Sequence, residues 1–413
     1  MRSLGDCLSG ILLAALLSMG CHNPGKHPAS SSAQTVSVAD PSFVTSCPFF
    51  TSDAAGRPVL SWVRQDSADG MAKVCYAIYS GSSKTFGQPH VVPPAVGVEP
   101  HGEDMPKIIF RKNGSILVVY SVKAPRPDNP YTGAVYYTQS FDGGAHWTPE
   151  QPLVKDTALS FDQRYFDLDL LPDGEVGIVW LNNSEPHGST LYFASTQGDQ
   201  GFSPGKIIGR HTCQCCRTDL MTDSTGRIHV AWRDILGDSV RDMDYCYSAD
   251  SGKTFSAPVR ISPDNWVVNG CPHTGPSMAM NKDGLHFAWF TMGGSGGIYY
   301  CHTNNNGLTF SARQPVSSLA SARHPQITAM PDNDLVITWD ENAGSGEASH
   351  QRIALQMRGP SGFLLNTRYL TPDSINAFFP QLKILDDHSA LLAYTEENGE
   401  KEQVHYQLVD LQP

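Results

Sequence analysis

The sequence predicts an all-β fold, a seven-bladed β-propeller made of four-stranded antiparallel blades. A Trp or Tyr closes an apolar run every 50 to 60 residues, and a marker residue lies 14 positions before each of these aromatics. The aromatics are Trp62, Tyr120, Trp180, Trp232, Trp289, Trp339 and Tyr394, and the markers are Pro48, Pro106, Phe166, Thr218, Gly275, Pro325 and Pro380. Seven units therefore share one internal frame.

Each unit contains enough chain for one four-stranded sheet. In the second unit, the apolar residues 107–110 and the alternating residues 115–120 predict two strands joined by a polar turn. Residues 134–137 predict a third strand, and a proline followed by apolar residues at 152–154 predicts a fourth. A lone sheet of this kind cannot bury both of its faces, whereas a closed ring of sheets can.

The seventh unit shows three strands before Pro413, and we expect residues 35–39 to supply its fourth strand. This closure would remove two free sheet edges at once. The alternatives are a six-bladed ring and a series of unrelated β-sandwich domains. Because the 14-residue frame is so regular, we predict a single propeller domain over residues 35–413.

The first 34 residues have the features of an export segment. Arg2, the apolar stretch 11–17 and the small residues before Cys21 predict a signal peptide over residues 1–20, followed by a flexible tether over residues 21–34. Residues 17–21 also resemble a bacterial lipoprotein cleavage box, in which Cys21 would be acylated. We therefore expect an exported protein, either a cell-envelope lipoprotein in the periplasm or on the outer surface, or a secreted protein.

The composition excludes two classes of partner. A formal net charge of −12 disfavours nucleic acid and anionic membrane surfaces, since both require a basic face. After the start, the strands alternate and no apolar run is long enough to span a bilayer. We expect a monomer that meets a membrane only through a lipid anchor.

Three turns that follow third strands share one pattern, at residues 140–147, 248–255 and 303–310. Each contains Ser or Thr, then Asp or Asn, then Gly, and ends on an aromatic residue. They resemble the Asp-box of the sialidase superfamily, a motif of β-propellers. The side chain of the Asp is expected to cap backbone N–H groups of its own turn. The motif occurs in sialidases, other glycosidases and non-catalytic propellers, so the resemblance implies fold more than activity.

The same resemblance implies a set of catalytic residues on the face opposite these turns. Sialidases use a Tyr nucleophile paired with a Glu, together with an Asp acid/base. Position on this face makes Tyr165 the candidate nucleophile, Glu341 or Glu396 its partner, and Asp104 the acid/base. The sequence departs from the sialidase pattern because no arginine stands beside Pro106 and seven units replace six. A non-catalytic binding scaffold is therefore the alternative to a sialidase-like glycoside hydrolase.

Four arginines from different units should reach this second face, and we expect them to bind an acidic glycan or another anionic ligand together with Asp234. They are Arg164, Arg217, Arg233 and Arg323. Guanidinium groups suit carboxylate and sulfate because they bind these anions through two hydrogen bonds at once. The alternative is that each arginine pairs with a local carboxylate.

A cluster of cysteines falls on the same face. Cys213, Cys215 and Cys216 lie within four residues, and Cys271 and His273 begin the next unit. Thiolates and imidazoles could hold Cu(I) or Zn(II), and these are the only cofactors that the sequence suggests. A disulfide from one of the three cysteines to Cys271 is the alternative, which an oxidising compartment favours.

Overall fold

The computed structural model describes residues 35–412 except 67–69, 128, 156–161, 184–187, 238, 347–348 and 400. The predicted signal peptide, the tether and Cys21 lie outside the described residues. Within the described part of the chain, no helix has both the length and the apolarity needed to cross a membrane.

The strands form seven antiparallel sheets in chain order, which confirms the seven-bladed propeller. Blade 1 contains β2 (Val44–Ser52), β3 (Pro58–Gln65), β4 (Ala72–Ser80), β5 (Thr85–Phe86) and β6 (His90–Val96). Blade 2 contains β7 (Lys107–Phe110), β8 (Ile116–Lys123), β9 (Gly133–Ser140) and β10 (Gln151–Pro152). Blade 3 contains β11 (Gln163–Leu170), β12 (Val176–Asn182), β13 (Ser189–Ser195) and β14 (Lys206–Thr212), with a short 3-10 helix at Gly198–Gln200.

The remaining blades repeat this order, from the inner strand at the axis to the outer strand. Blade 4 contains β15 (Asp219–Thr222), β16 (Ile228–Arg233), β17 (Met243–Ser248) and β18 (Val259–Arg260). Blade 5 contains β19 (Ser277–Asn281), β20 (Gly284–Thr291), β21 (Gly297–Thr303) and β22 (Gln314–Ser317). Blade 6 contains β23 (Arg323–Ala329), β24 (Leu335–Ala343), β25 (His350–Arg358) and β26 (Leu364–Tyr369). Blade 7 contains β27 (Asn376–Ile384), β28 (Ser389–Asn398) and β29 (Lys401–Asp410).

The outer strand of blade 7 comes from the N-terminal side of the chain, as the sequence predicted. This strand, β1 (Val36–Ser37), pairs antiparallel with β29 through Val36 and Tyr406. The N–H of Val38 continues the pairing by donating to the carbonyl of Val404 at 3.1 Å. The two ends of the described chain therefore complete one blade.

The cores lie between neighbouring blades. The seven repeating aromatics all lie in second strands, and each is at most 2% exposed. Trp180 of blade 3, for example, packs in one cluster with Leu117 and Val135 of blade 2. Because each blade buries its faces against its neighbours, the ring is the stable unit.

One end of the ring, here called the turn face, carries the three turns that share the Ser/Thr, Asp/Asn and Gly pattern. In blade 4, Ser248 Oγ accepts a hydrogen bond from the N–H of Gly252 at 2.9 Å. Asp250 Oδ1 accepts one from the N–H of Thr254 at 2.8 Å. The predicted side-chain capping is therefore present in this turn.

The glycine of each turn also marks a contact between blades. Gly252 has φ +78°, and a Cβ atom built on it would lie 2.2 Å from the Phe193 ring of blade 3. The same relation joins Gly144 to Tyr76, Gly201 to Tyr137, Gly307 to Tyr245 and Gly362 to Tyr300. In each pair the aromatic side chain belongs to the third strand of the preceding blade. Glycine is required here for both its left-handed backbone and its lack of a side chain.

Candidate functional site

The opposite end of the ring, here called the mouth, is formed by the starts of the inner strands and the loops that precede them. Five non-glycine residues have a left-handed backbone at these positions: Cys47, Tyr165, His273, His324 and Phe379, with φ between 50° and 58°. The pairing register shifts beside four of them, in β2, β11, β23 and β27. Strained backbone of this kind persists only where surrounding contacts hold it, and it is common at functional sites.

A loop of blade 2, residues 99–105, lies across the mouth and is called the axial loop. Its Glu103 forms a buried ion pair with Arg217 of blade 4 and accepts a hydrogen bond from the N–H of Gly275 at 3.0 Å. The Arg217 guanidinium also donates to the carbonyls of Pro276, at 3.3 Å, and Pro325. One ion pair thus connects blades 2, 4, 5 and 6.

Other residues of the axial loop contact the blades on either side. The His101 ring meets the Tyr165 ring edge-on, with centroids 5.6 Å apart, and lies 6.2 Å from the His273 ring. A Cβ atom on Gly102 would lie 2.5 Å from the Phe379 ring of blade 7. The axial loop therefore spans the opening, and the residues around it form one packed layer.

The structure brings two of the three predicted catalytic residues near each other. Tyr165 is 4% exposed, and burial, together with the nearby Asp104 carboxylate, raises the pKa of its hydroxyl. Asp104 accepts a hydrogen bond from Ser121 Oγ at 2.7 Å, and its buried Oδ1 has no partner among the described residues. Burial raises the pKa of Asp104 as well. The raised pKa values favour the neutral, protonated forms of both the Tyr165 hydroxyl and the Asp104 carboxyl group.

Glu341, the predicted partner of Tyr165, is held within blade 6 and blade 5. Its carboxylate accepts hydrogen bonds from Trp339 Nε1 at 2.7 Å and Ser317 Oγ at 3.0 Å. Arg352 Nη2 forms an ion pair with Glu341 Oε1 at 2.7 Å. These contacts hold Glu341 within the blades, and no contact joins it to Tyr165 among the described residues.

The four predicted anion-binding arginines bond to groups of the protein. Arg164 donates to Asp162 at 2.9 Å and to Glu99 at 3.2 Å, and Arg217 pairs with Glu103 as described above. Arg323 donates to two backbone carbonyls and stacks over the Phe290 ring at 3.7 Å. The local pairing that the sequence left open therefore accounts for Arg164 and Arg217.

Arg233, like Arg323, has no carboxylate partner among the described residues, but its side chain is almost fully buried. Its guanidinium donates to the carbonyls of Arg241, Thr274 and Phe290 at 2.8 to 3.0 Å. No ion pair involves Arg233 in the part of the chain that the structure describes. Asp234 instead accepts a hydrogen bond from Trp232 Nε1 at 3.2 Å, and burial raises its pKa to about 6. The Arg233 guanidinium also lies over the Trp266 ring, 5.0 Å from its centroid, so its partners are carbonyls and an aromatic ring and no carboxylate.

The predicted metal ligands do come together, next to Arg233. Cys213 Sγ lies 3.6 Å from Cys215 Sγ and 3.8 Å from Cys216 Sγ, and all three side chains are buried. Cys215, Cys271 and His273 form a second set whose ligand atoms lie within 4.8 Å of one another, and Cys271 and His273 are exposed. These five residues, called the mouth cluster, form two sets of three ligands that share Cys215.

The local backbone and charges explain how the thiols are held. The N–H of Cys213 donates to the carbonyl of Arg233 at 2.8 Å, which fixes the start of the cysteine loop beside blade 4. Hydrogen bonds from Cys215 and Cys216 lower the pKa of Cys213, and the Arg233 and Arg241 charges favour the same thiolate. Burial raises the pKa of Cys216 to about 11. Within the cluster, the thiolate form is therefore most favoured at Cys213.

The predicted disulfide would use atoms of the same cluster. All eight cysteines in the described residues are free thiols in this structure, while the Cys215 and Cys271 sulfurs lie within 4.8 Å of each other. A bridge between blades 4 and 5 at these residues stays a prediction. Cys75, Cys246 and Cys301 are buried in third strands, as expected for thiols that pack as small apolar groups.

One buried pair at the mouth was not foreseen. His324 Nδ1 lies 2.6 Å from Asp340 Oδ2, and the same carboxylate oxygen accepts a hydrogen bond from the N–H of Phe379 at 2.9 Å. Burial opposes protonation of His324, but the Asp340 carboxylate outweighs it and raises the His324 pKa. The two residues are 16 positions apart in neighbouring strands of blade 6, and the sequence held no signal for their pairing.

A depression also lies on the turn face. A groove of about 850 Å³ lies among the hairpin turns of blades 2, 3 and 4 and is lined by residues 111–115, 170–175 and 222–226 in part. Its carboxylates are Asp173, Glu175, Asp199 and Asp223. None of the predicted site residues lies in this groove.

Comparison with known proteins supports the fold. No protein-family profile matches the chain, and no curated protein sequence matches it. A lectin from Burkholderia pseudomallei aligns over 89% of this chain and 96% of its own, with 11% identity and a TM-score of 0.60. An ulvan lyase, a polysaccharide lyase, aligns over 91% of this chain and 96% of its own, with 11% identity and a TM-score of 0.58.

A sialidase from Trypanosoma rangeli, in complex with sialic acid, aligns over 91% of this chain and 59% of its own, with 11% identity. Its TM-score of 0.48 is too low to support an argument about this chain. At these identities the likenesses concern the backbone fold. The chain thus shares a backbone fold with the lectin and the ulvan lyase.

Proposed function

We propose that this protein binds a soft metal ion through the mouth cluster, and that the preferred ion is Cu(I). The observation that carries the proposal is the convergence of four cysteine sulfurs and one imidazole from two blades into two overlapping sets of three ligands. Thiolates are the ligands that Cu(I) and Zn(II) prefer, and imidazole suits both ions.

The charge around the cluster supports the same proposal. Arg233 is buried, donates to carbonyls and interacts electrostatically with Cys213. Buried charges are normally paired, and a cluster of metal-bound thiolates carries net negative charge. An anionic metal–thiolate centre would therefore compensate the guanidinium.

The number of ligands favours Cu(I) over structural zinc. Structural zinc sites almost always have four protein ligands, whereas each set in the mouth cluster has three. The spacing Cys213, Cys215 and Cys216 also differs from the usual zinc spacings. Zinc remains the alternative ion for the exposed set, because catalytic zinc sites have three protein ligands and an open position.

The test is an anaerobic Cu(I) titration of the reduced mature protein against a chromogenic chelator, followed by a Zn(II) titration. We expect stoichiometric Cu(I) binding that the C213S/C215S/C216S variant loses. The matched control is C301S, which removes a buried thiol from a third strand of blade 5. Equal, weak binding by the wild type and the triple variant would contradict the proposal.

A second candidate is recognition or hydrolysis of an acidic glycan. It is supported by the neighbouring positions of Tyr165 and Asp104 and by the fold shared with a lectin and an ulvan lyase. The engagement of Arg164 and Arg217 by carboxylates weighs against an anion clamp. Its test is a glycan array with an aryl-glycoside screen, in which Tyr165→Phe should abolish any hydrolysis of an aryl sialoside.

We also propose that the protein is exported and acylated at Cys21, as the sequence predicts. Export would bring the mouth cluster into contact with envelope metal pools instead of cytosolic ones. Mass spectrometry of the mature N-terminus distinguishes a lipid-modified Cys21 from an unmodified, secreted chain. Light scattering of the mature protein tests the expected monomer.

A further inference from the structure

The two ligand sets of the mouth cluster differ in their access to solvent. Cys213, Cys215 and Cys216 are 1%, 4% and 2% exposed, so the first set is closed by protein. Cys271 and His273 are exposed, so the second set opens to solution. Cys215 is the one residue common to both sets.

A single ion would leave part of the cluster unused. An ion bound by Cys213, Cys215 and Cys216 would leave Cys271 and His273 as an exposed pair near a ligand that is already engaged. An ion bound by the second set would leave two buried thiols beside the Arg233 guanidinium, which has no ion pair among the described residues. Two ions use all five ligands, since one thiolate sulfur can bridge two soft ions through its lone pairs.

We infer that the mouth cluster holds two Cu(I) ions, one in each ligand set, joined by the Cys215 thiolate. This inference rests on the proposed metal-binding function. The buried ion exchanges with solution through the exposed site, because Cys271 and His273 are the members of the cluster that solvent reaches. Four thiolates and two Cu(I) ions carry a net charge of −2, which complements Arg233 and Arg241 beside Cys213.

The stoichiometry of Cu(I) binding tests the inference directly. Under the same anaerobic conditions, the wild type should bind two ions per chain and show a Cu–Cu contribution in X-ray absorption spectra. The variant C271S/H273N should retain one ion, in the buried set, and lose the Cu–Cu contribution. Both substituted residues are exposed, and asparagine tolerates the left-handed backbone of His273, with φ 50°, so this variant should fold normally.

Two further variants separate the sites. C213S/C216S should bind one ion that a chelator removes faster than the ion of C271S/H273N, because only the exposed set remains. C215S should lose both high-affinity sites, since it removes the shared ligand. Melting temperatures measured beside C301S show whether each variant is folded.

The outcomes distinguish this inference from the proposed function. One ion per chain in the wild type, with no Cu–Cu contribution, would overturn the two-ion centre and leave metal binding intact. Two ions that persist in C215S would overturn the bridging role of that thiolate. Absence of any tight Cu(I) binding would overturn the proposed function itself.

Discussion

The two ends of this ring contrast in how they use the same repeat. On the turn face, blades 4 and 5 cap their turns with equivalent bonds: Gly252 N–H donates to Ser248 at 2.9 Å and Gly307 N–H donates to Thr303 at 3.1 Å. At the mouth, each blade contributes different residues and the contacts cross the ring. The repeated contacts of the turn face therefore specify the ring. The mouth, whose residues differ from blade to blade, is available for a functional site.

The largest effect is expected from breaking the ion pair between Glu103 of the axial loop and Arg217. Arg217→Met leaves the Glu103 carboxylate buried without its partner, and we expect a loss of about 3–5 kcal/mol in the free energy of unfolding. Urea denaturation of the metal-free protein measures this loss. A result near the wild type would show that the mouth contacts do not hold the ring.

Two controls sharpen that result. The double variant E103Q/R217M removes both charges and should recover part of the loss, because no unpaired charge stays buried. Lys282→Ala removes an exposed ion pair with Asp283 on the turn face and should change stability by at most about 0.5 kcal/mol.

A smaller effect is expected from the glycine contact of the turn face. Gly252→Ala places a Cβ atom 2.2 Å from the Phe193 ring at φ +78°, and we expect a loss of about 2–3 kcal/mol. Gly143→Ala is the control, because its φ of +73° is similar but a Cβ there has open space. Thermal unfolding should show a loss of about 1 kcal/mol for this control. Equal losses would mean that contact with the preceding blade contributes nothing.

Two buried histidines should give opposite pH dependence at the two ends. On the turn face, burial, with His302 close by, lowers the pKa of His286 to about 4. The unfolded chain then binds the proton more tightly, so His286 costs about 2 kcal/mol of stability as the pH falls from 6.5 to 5. At the mouth, the raised pKa of His324 adds stability at low pH that is lost as the pH rises through that pKa.

Unfolding curves for H286N and H324N between pH 5 and pH 8 test this contrast. Relative to the wild type, H286N should gain stability as the pH falls, and H324N should lose it. Parallel pH profiles for the two variants would contradict the assignment of opposite charge states.

The smallest effect concerns one residue of the blade 5 turn. Asn305 donates from Nδ2 to Thr309 Oγ1 at 2.8 Å, whereas Asp250 of blade 4 accepts from Thr254 Oγ1 at 2.6 Å. Asn305→Asp should convert the turn to the blade 4 pattern and raise stability by at most about 0.5 kcal/mol. Asn304→Asp is the control, since it adds the same charge to an exposed neighbour. A gain of equal size in both variants would assign the effect to charge alone.

The sequence was sufficient for the fold because the information is local and repeated. The repeating aromatics, such as Trp232, indicate the second strand of each blade. The turn patterns indicate the connection between the third and fourth strands. The closure through β1 also followed, since the last blade lacked one strand.

The site was less predictable because its contacts join distant parts of the chain. Glu103 and Arg217 are 114 residues apart, and neither lies in a motif. The sequence placed Tyr165, Asp104 and Glu341 on one face but gave no distances around the axis, so it could not separate Glu341 from the other two. The cysteine cluster was easier, because three of its ligands are nearly consecutive and the next blade begins with the others.

The outer strand of blade 7, β1, has a consequence for how the chain acquires its shape. Thr35 Oγ1 donates to Gln407 Oε1 at 3.3 Å across 372 positions, so blade 7 is complete only after all the residues between them have emerged during synthesis. The entropy of joining such remote segments grows only logarithmically, by about 2 kcal/mol for a tenfold longer loop. The pairing of β1 with β29 therefore forms late but costs little free energy. Until it forms, β29 exposes an unpaired edge that can pair with strands of other chains.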